Sequence, residues 1–178
     1  ASIGVAHGAA RAGDPERHVA VVGDSTFFHS GIPPLINAVY NKAAFITIIM
    51  DNRITGMTGH QENPGTGHTL LGEESPIVRL EPLVRACGVA HVTTLPALAV
   101  EDIEKTLKEY LKLDEPSVLI VEEPCALLPE ERKKWVPLEV LADKCNGCTI
   151  CFRIGCPAIL KSEELDEKYQ RPKALIDP

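Results

Sequence analysis

The sequence has no surplus of basic residues, no long hydrophobic run, no leader-like start and no internal repeat. Each absence excludes a class. Lysine and arginine together number 18 against 25 aspartates and glutamates, for a formal net charge of -7. A chain without a basic face is poorly suited to the phosphates of nucleic acid. No apolar run approaches the roughly 20 residues needed to cross a bilayer. The opening ASIGVAHGAARAG lacks the basic region and apolar stretch of a secretory signal. These features predict a soluble cytoplasmic chain with neither a nucleic-acid nor a membrane partner. Aromatics are only 4% of residues, yet 44% are hydrophobic and 24% charged, a composition that supports a packed core. At 178 residues the chain has room for one domain and at most a small appendage.

Short apolar runs alternate with helical patterns. Residues 2–12 read as a helix, 18–23 (HVAVVG) as a buried strand, and a helix is expected from Ser30 with proline in its first turn. AFITIIM (44–50) is a second buried strand, so the three elements form a right-handed parallel βαβ unit. From Asp51 to Ser75 the periodicity stops, leaving a Gly-, Thr-, Asn- and His-rich loop too long for an idle connection. A helix (77–87), a strand (88–95), a helix (100–113) and a strand (117–123) follow. The expected fold is α/β, a doubly wound and mostly parallel sheet. Residues 129–137 read as a charged linker, and 138–178 as a small segment ending in a charged tail. That segment is too small for a self-sufficient core, so a metal staple is expected in it.

Two constellations carry chemistry. In an open parallel sheet, ligands gather at the carboxyl ends of the strands. Asp24 follows the first strand and Asp51-Asn52 the second, which places Asp24 and Asn52 on one rim. A carboxylate and an amide oxygen are hard ligands suited to Mg²⁺, and a helix N-terminus on the same rim suits an anion. A metal-bound diphosphate is the natural occupant. The second constellation is Cys145, Cys148, Cys151 and Cys156, spaced C-x2-C-x2-C-x4-C-P. Three thiolates on one tight loop suit an iron–sulfur cluster, whereas structural zinc takes two separated pairs. Cys156 either completes one cluster or serves a second one. The remaining cysteines, Cys87 and Cys125, read as small buried hydrophobes. His29, His60 and Gln61 lie in the rim loops, where a histidine can move a proton or hold a carboxylate; His29 is the candidate catalytic residue. His7, His18, His68 and His91 read as structural or solvent-facing.

GDSTFFHSGI followed by DNRITGMTGHQENPGTG resembles the thiamine diphosphate motif, G-D-G then N-N some 25–30 residues on. More narrowly, the chain resembles the α subunits of the indolepyruvate:ferredoxin oxidoreductases, within the 2-oxoacid:ferredoxin oxidoreductase group. ASIGVAHG, SVLIVEEPCAL and CNGCTICFRIGCPAI carry the likeness along nearly the whole chain. Ser25 and Asp51 depart from the generic motif. The resemblance implies that Asp24, the Asn52 side chain and the Ile54 carbonyl hold Mg²⁺. Gly23, Ser25 and the loop Gly56, Met57, Thr58 and Gly59 would border the diphosphate. It further implies a [4Fe-4S] cluster on the four cysteines and oxidative decarboxylation of an aryl 2-oxoacid to an acyl-CoA, with electrons leaving to ferredoxin.

The expected organisation is therefore a thiamine diphosphate and Mg²⁺ domain at 1–128, incomplete at its start, then the linker, then a ferredoxin-like segment at 138–178, cut short. The resemblance places the glutamate that activates the cofactor on another domain. The chain alone is accordingly expected to be inactive without that domain or a second oxidoreductase subunit. Two other readings stay open on sequence: a ferredoxin-like carrier fused to a non-catalytic α/β domain, and a zinc-stapled interaction module.

Overall fold

The computed structural model describes residues 1–134, 136 and 138–177. The chain divides into two compact units, Ala1–Glu131 and Arg132–Pro178. In the first unit, helix α1 (Ser2–Arg11) leads to β1 (Val19–Gly23), and β2 (Ile46–Asp51), β3 (His91–Pro96) and β4 (Ser117–Glu122) complete a sheet of order β1-β2-β4-β3. All three pairings are parallel. Val22 pairs with Ile49, and Ile49 with Ile120, so these side chains share one face. There they join Ile3 and Ala6 of α1 and Leu35 and Ala38 of α3 (Ile32–Tyr40) in the larger core. Leu80 and Val84 of α4 (Leu80–Ala86) pack into the same cluster. The opposite face is covered by α5 (Val100–Tyr110), whose Ile103 and Leu107 pack on Ile46, Leu119 and Val121. Helices on both faces make the doubly wound layer that the alternating pattern predicts.

The structure moves several boundaries. The helix expected from Ser30 begins six residues earlier: α2 (Asp24–Thr26) starts directly after β1, widens into a π turn at Phe27–Gly31, and continues as α3. Pro33 and Pro34 bring no N–H, so the carbonyls of His29 and Ser30 lack their usual i+4 donors, and the chain passes this stretch in a wider turn. Gly31 makes the turn possible. A Cβ there would stand 2.5 Å from Cδ2 of Phe27, whose ring is fully buried. The helix expected from residue 77 begins only at Leu80, because the Val78 N–H is bonded to the Pro64 carbonyl at 2.9 Å and holds the chain to the long loop. Part of the stretch read as linker is helical, α6 (Pro129–Arg132); its Trp135 and Pro137 lie outside the described residues.

In the second unit, the expected charged tail is instead an antiparallel hairpin of β5 (Ile159–Leu165) and β6 (Pro172–Ile176). The Asp166 carboxylate makes the turn by accepting the N–H groups of Lys168 and Tyr169, while its own N–H bonds the Arg171 carbonyl. Lys173 and Glu164 form an ion pair across the strands. Among the described residues, no helix is long and apolar enough to cross a membrane.

Candidate active site

Gly23 pairs with Met50, so Asp24, directly after β1, and Asp51-Asn52, the last residue of β2 and the one after it, lie side by side at the carboxyl edge of the sheet. Gly23 is extended (φ -78, ψ 157) and the helix begins at the next residue, which turns Asp24 inward. Asp24 is 5% exposed. Burial lifts its carboxyl above the ordinary carboxylate range; the Ser25 backbone N–H and the Asn63 amide partly offset this, and the charge of Asp51 adds to it. Among the described residues, no lysine, arginine or histidine forms an ion pair with Asp24. Its named side-chain partner is Asn63, whose Nδ2–H donates to Asp24 Oδ2 at 3.0 Å.

Across the edge, local hydrogen bonds fix the loop that follows β2. The Asp51 carboxylate accepts the Arg53 N–H at 2.9 Å, and Asn52 Oδ1 accepts the Ile54 N–H at 3.2 Å. The Ile54 carbonyl accepts the Gly56 N–H at 3.0 Å, and the Asn52 carbonyl accepts the Cys125 N–H at 2.9 Å. Asn52 Oδ1 and the Ile54 carbonyl each keep a further lone pair. Gly56 lies against Asn52: a Cβ on it would stand 3.5 Å from Asn52 Nδ2. Met57, Thr58 and Gly59 are exposed, Met57 at 94%, and the Thr58 hydroxyl and carbonyl are both bonded to the Gln61 side chain. Ser25 is half-buried and Gly23 exposed. Beside this edge lies a cleft of about 970 Å³ whose lining includes Phe28, Asp51, Arg53, Ile54, Arg79 and Glu122. His29 is exposed on the π turn and does not line the cleft.

A buried carboxylate with another carboxylate nearby and no cationic side chain paired to it is short of positive charge. The oxygens available around it, a carboxylate, an amide and a main-chain carbonyl, are the hard donors that Mg²⁺ takes. The helix that starts at Asp24 puts its unpaired N–H groups at the same place, earlier than the sequence pattern indicates. These residues fit a metal-bound diphosphate. They do not converge as a finished cage: among the described residues no three His, Cys, Asp or Glu side chains stand together as a metal-holding group.

Two features of this edge were not visible in the sequence. Asn63 gave no signal beyond its place in a Gly- and Pro-rich loop, yet it is 5% exposed and bonded to Asp24. Cys125, expected as a small buried hydrophobe, is half-buried with its Sγ 3.8 Å from His60 Nε2. Its position right after β4 brings it to the rim. Cys87 is also half-buried; it packs on the larger core, and burial pushes its thiol up from the ordinary range.

The four cysteines of the second unit occupy one loop with left-handed residues at Gly147, Thr149 and Gly155 and a 3₁₀ turn at Ile150–Ile154. Cys145 and Cys151 are half-buried, Cys148 and Cys156 exposed. Cys145 Sγ accepts the Ala174 N–H at 3.4 Å, an outer hydrogen bond of the kind thiolate ligands use. The four soft donors and their spacing suit iron and sulfide, although here too no three of them stand together as a metal-holding group.

Residues 1–121 match the family described as thiamine pyrophosphate enzyme, C-terminal TPP binding domain. The chain belongs to this family. It is similar to the indolepyruvate oxidoreductase subunit IorA of Pyrococcus horikoshii, at 39% identity over 99% of this chain and 29% of the relative. The subunit of the same name from Archaeoglobus fulgidus is 42% identical over 90% of this chain and 26% of that relative. The chain thus spans under a third of the length of these curated relatives. Among solved structures, a 2-oxoglutarate:ferredoxin oxidoreductase from Magnetococcus marinus superposes with a TM-score of 0.61 at 20% identity, over 69% of this chain and 44% of that one. A thiamine diphosphate-dependent 4-hydroxybenzoylformate decarboxylase from Rhodococcus jostii gives 0.50 at 25%, over 67% and 22%. The first of these likenesses establishes a shared fold.

Proposed function

We propose that this chain is the diphosphate-binding and electron-transfer part of a thiamine diphosphate-dependent 2-oxoacid:ferredoxin oxidoreductase, acting on aryl 2-oxoacids of the indolepyruvate type. The observation that carries the reading is the buried Asp24 carboxylate, unpaired by any cation of the described chain, on the same sheet edge as Asn52. The family match and the relatives named as indolepyruvate oxidoreductase subunits support it.

In this reading Asp24, Asn52 Oδ1 and the Ile54 carbonyl hold Mg²⁺, and the N–H groups at the start of the helix, with Ser25, receive the diphosphate. Gly23, Gly56, Met57, Thr58 and Gly59 border it. When bound, thiamine diphosphate supplies the nucleophilic carbon and electron sink that a 2-oxoacid decarboxylation requires. The chain would orient that cofactor through the metal ligands. His29, exposed on the π turn of the helix that begins at Asp24, is the residue we assign to proton handling. Cys145, Cys148, Cys151 and Cys156 would hold a [4Fe-4S] cluster, which would supply one-electron transfer toward ferredoxin. Coenzyme A accepts the acyl group, and a second subunit or further polypeptide supplies the residue that activates the cofactor.

The test is anaerobic turnover with arylpyruvate, coenzyme A and a viologen acceptor. The chain alone is expected to be silent, and the chain completed by its partner polypeptide to reduce viologen only when all three reactants are present. A completed enzyme that reduces no acceptor with any 2-oxoacid, or turnover from the chain alone, contradicts the proposal.

A further inference from the structure

Resting on the 2-oxoacid reading above, we propose that Arg79 is the residue of this chain that receives the carboxylate of an aryl substrate, in the cleft beside the carboxyl edge. That cleft holds about 970 Å³, a volume in the range of small-molecule sites. Its walls offer each half of such a molecule a partner. The ring is met by Phe28, half-buried, Ile54, buried, and Ile77, which is 56% exposed. An apolar side chain left this open on the wall of a cleft is surface that a ligand's ring can cover.

The charged half needs a cation with no partner of its own. Three arginines line the cleft. Arg85 is paired with Glu81 at 2.8 Å and also donates to the Val92 carbonyl at 2.9 Å, holding α4 to β3. Arg53 is paired with Glu122 at 3.7 Å. Arg79 is exposed, and among the described residues its guanidinium forms no ion pair and donates no hydrogen bond. Its main chain, by contrast, is held on both sides. The Val78 N–H donates to the Pro64 carbonyl at 2.9 Å, and the Arg79 carbonyl accepts the Leu83 N–H in the first turn of α4 at 3.3 Å. Leu80, next in the chain, packs into the larger core at 7% exposure. A free guanidinium on a fixed base suits a carboxylate, which its fork of N–H donors holds through two parallel bonds.

The rest of the lining limits the ligand to one negative charge. Asp51, Glu62 and Glu130 also line the cleft, and among the described residues no lysine or arginine forms an ion pair with them. Arg79 is the one arginine of the lining left without a carboxylate, so a second negative group on the ligand would face like charge. The chemistry selected is an aryl monocarboxylate rather than a dicarboxylate.

The experiment titrates three probes calorimetrically into the full chain, held with the partner polypeptides it needs: phenylacetate, its neutral amide phenylacetamide, and the dianion phenylsuccinate. None carries the ketone, so binding is read without turnover. The unsubstituted protein is expected to bind phenylacetate about fivefold or more tightly than either of the others. Arg79→Gln should weaken phenylacetate by about tenfold and leave phenylacetamide unchanged, the pattern of a lost charged hydrogen bond rather than of a damaged cleft. Arg79→Lys keeps the charge without the fork and should recover part of the loss. An unchanged phenylacetate affinity in Arg79→Gln, equal weakening of the acid and its amide, or phenylsuccinate bound as tightly as phenylacetate overturns the proposal. A parallel titration of thiamine diphosphate with Mg²⁺ into the unsubstituted protein keeps the two readings apart. Cofactor binding without phenylacetate binding overturns this inference alone, and binding of neither overturns both.

Discussion

Replacing Asp24 by asparagine should stabilise the metal-free protein while abolishing its response to cofactor. The carboxyl is 5% exposed, and burial holds it above the ordinary carboxylate range, with the nearby Asp51 charge adding to the effect. For a group whose pKa is raised on folding, the stability it contributes is complete below its unfolded value, about pH 4, and is lost as pH rises through the folded value. At neutral pH the ionised side chain is therefore a standing cost. Asparagine has the same shape, carries no charge, and still offers Asn63 an oxygen. The metal-free variant should therefore melt at a higher temperature than the unsubstituted protein at pH 7. The gain should shrink as pH falls toward about 4, because the native carboxyl becomes protonated.

With Mg²⁺ and thiamine diphosphate at a hundred times their dissociation constant, the unsubstituted protein should gain about 2.7 kcal/mol, and the variant none. The two proteins then exchange order when cofactor is added. Differential scanning calorimetry with and without cofactor, at pH 7 and pH 4, reads all four conditions. If the Ser25 and Asn63 donors more than offset the burial of the charge, the substitution would instead cost stability without cofactor, about 0.5–1.5 kcal/mol for each bond weakened. That loss, or an undiminished response to cofactor, refutes the reasoning.

Two further outcomes follow from packing. Gly31→Ala drives a methyl group to 2.5 Å from the ring of Phe27, which has no room to retreat; a loss of about 1–3 kcal/mol in chemical denaturation is expected, together with weaker cofactor binding, because the same helix starts at Asp24. Leu35→Ala empties a fully buried position where α3 meets the sheet, and should cost about 2–5 kcal/mol by the same measurement.

The elements that position the site could be read in the sequence where hydrophobic pattern and turn chemistry agree. HVAVVG and AFITIIM are apolar without interruption because both faces of a parallel sheet are covered, and the strands fall there. Asp24 and Asn52 share an edge simply because each follows a parallel neighbour. The start of the helix at Asp24 was hidden by Pro33-Pro34, a pair that reads as a first turn but here lies beyond a widened one. The late start of α4 was hidden for a different reason: the bond from Val78 to Pro64 is tertiary, and no periodicity reports it. Asn63 and the His60–Cys125 pair were illegible on the same ground, since each joins segments 39 or more residues apart in sequence. The hairpin of the second unit rests on Asp166 and the Lys173–Glu164 pair, polar signals that composition alone reads as a charged tail.

Calorimetric titration of thiamine diphosphate into the protein, with Mg²⁺ present and with Mg²⁺ chelated, bears most directly on the whole account. One cofactor should bind per chain when the metal is there, and none should bind without it. Binding that ignores the metal, or no binding under either condition once the partner polypeptides are supplied, would mean that the buried acid beside Asn52 serves something other than a diphosphate.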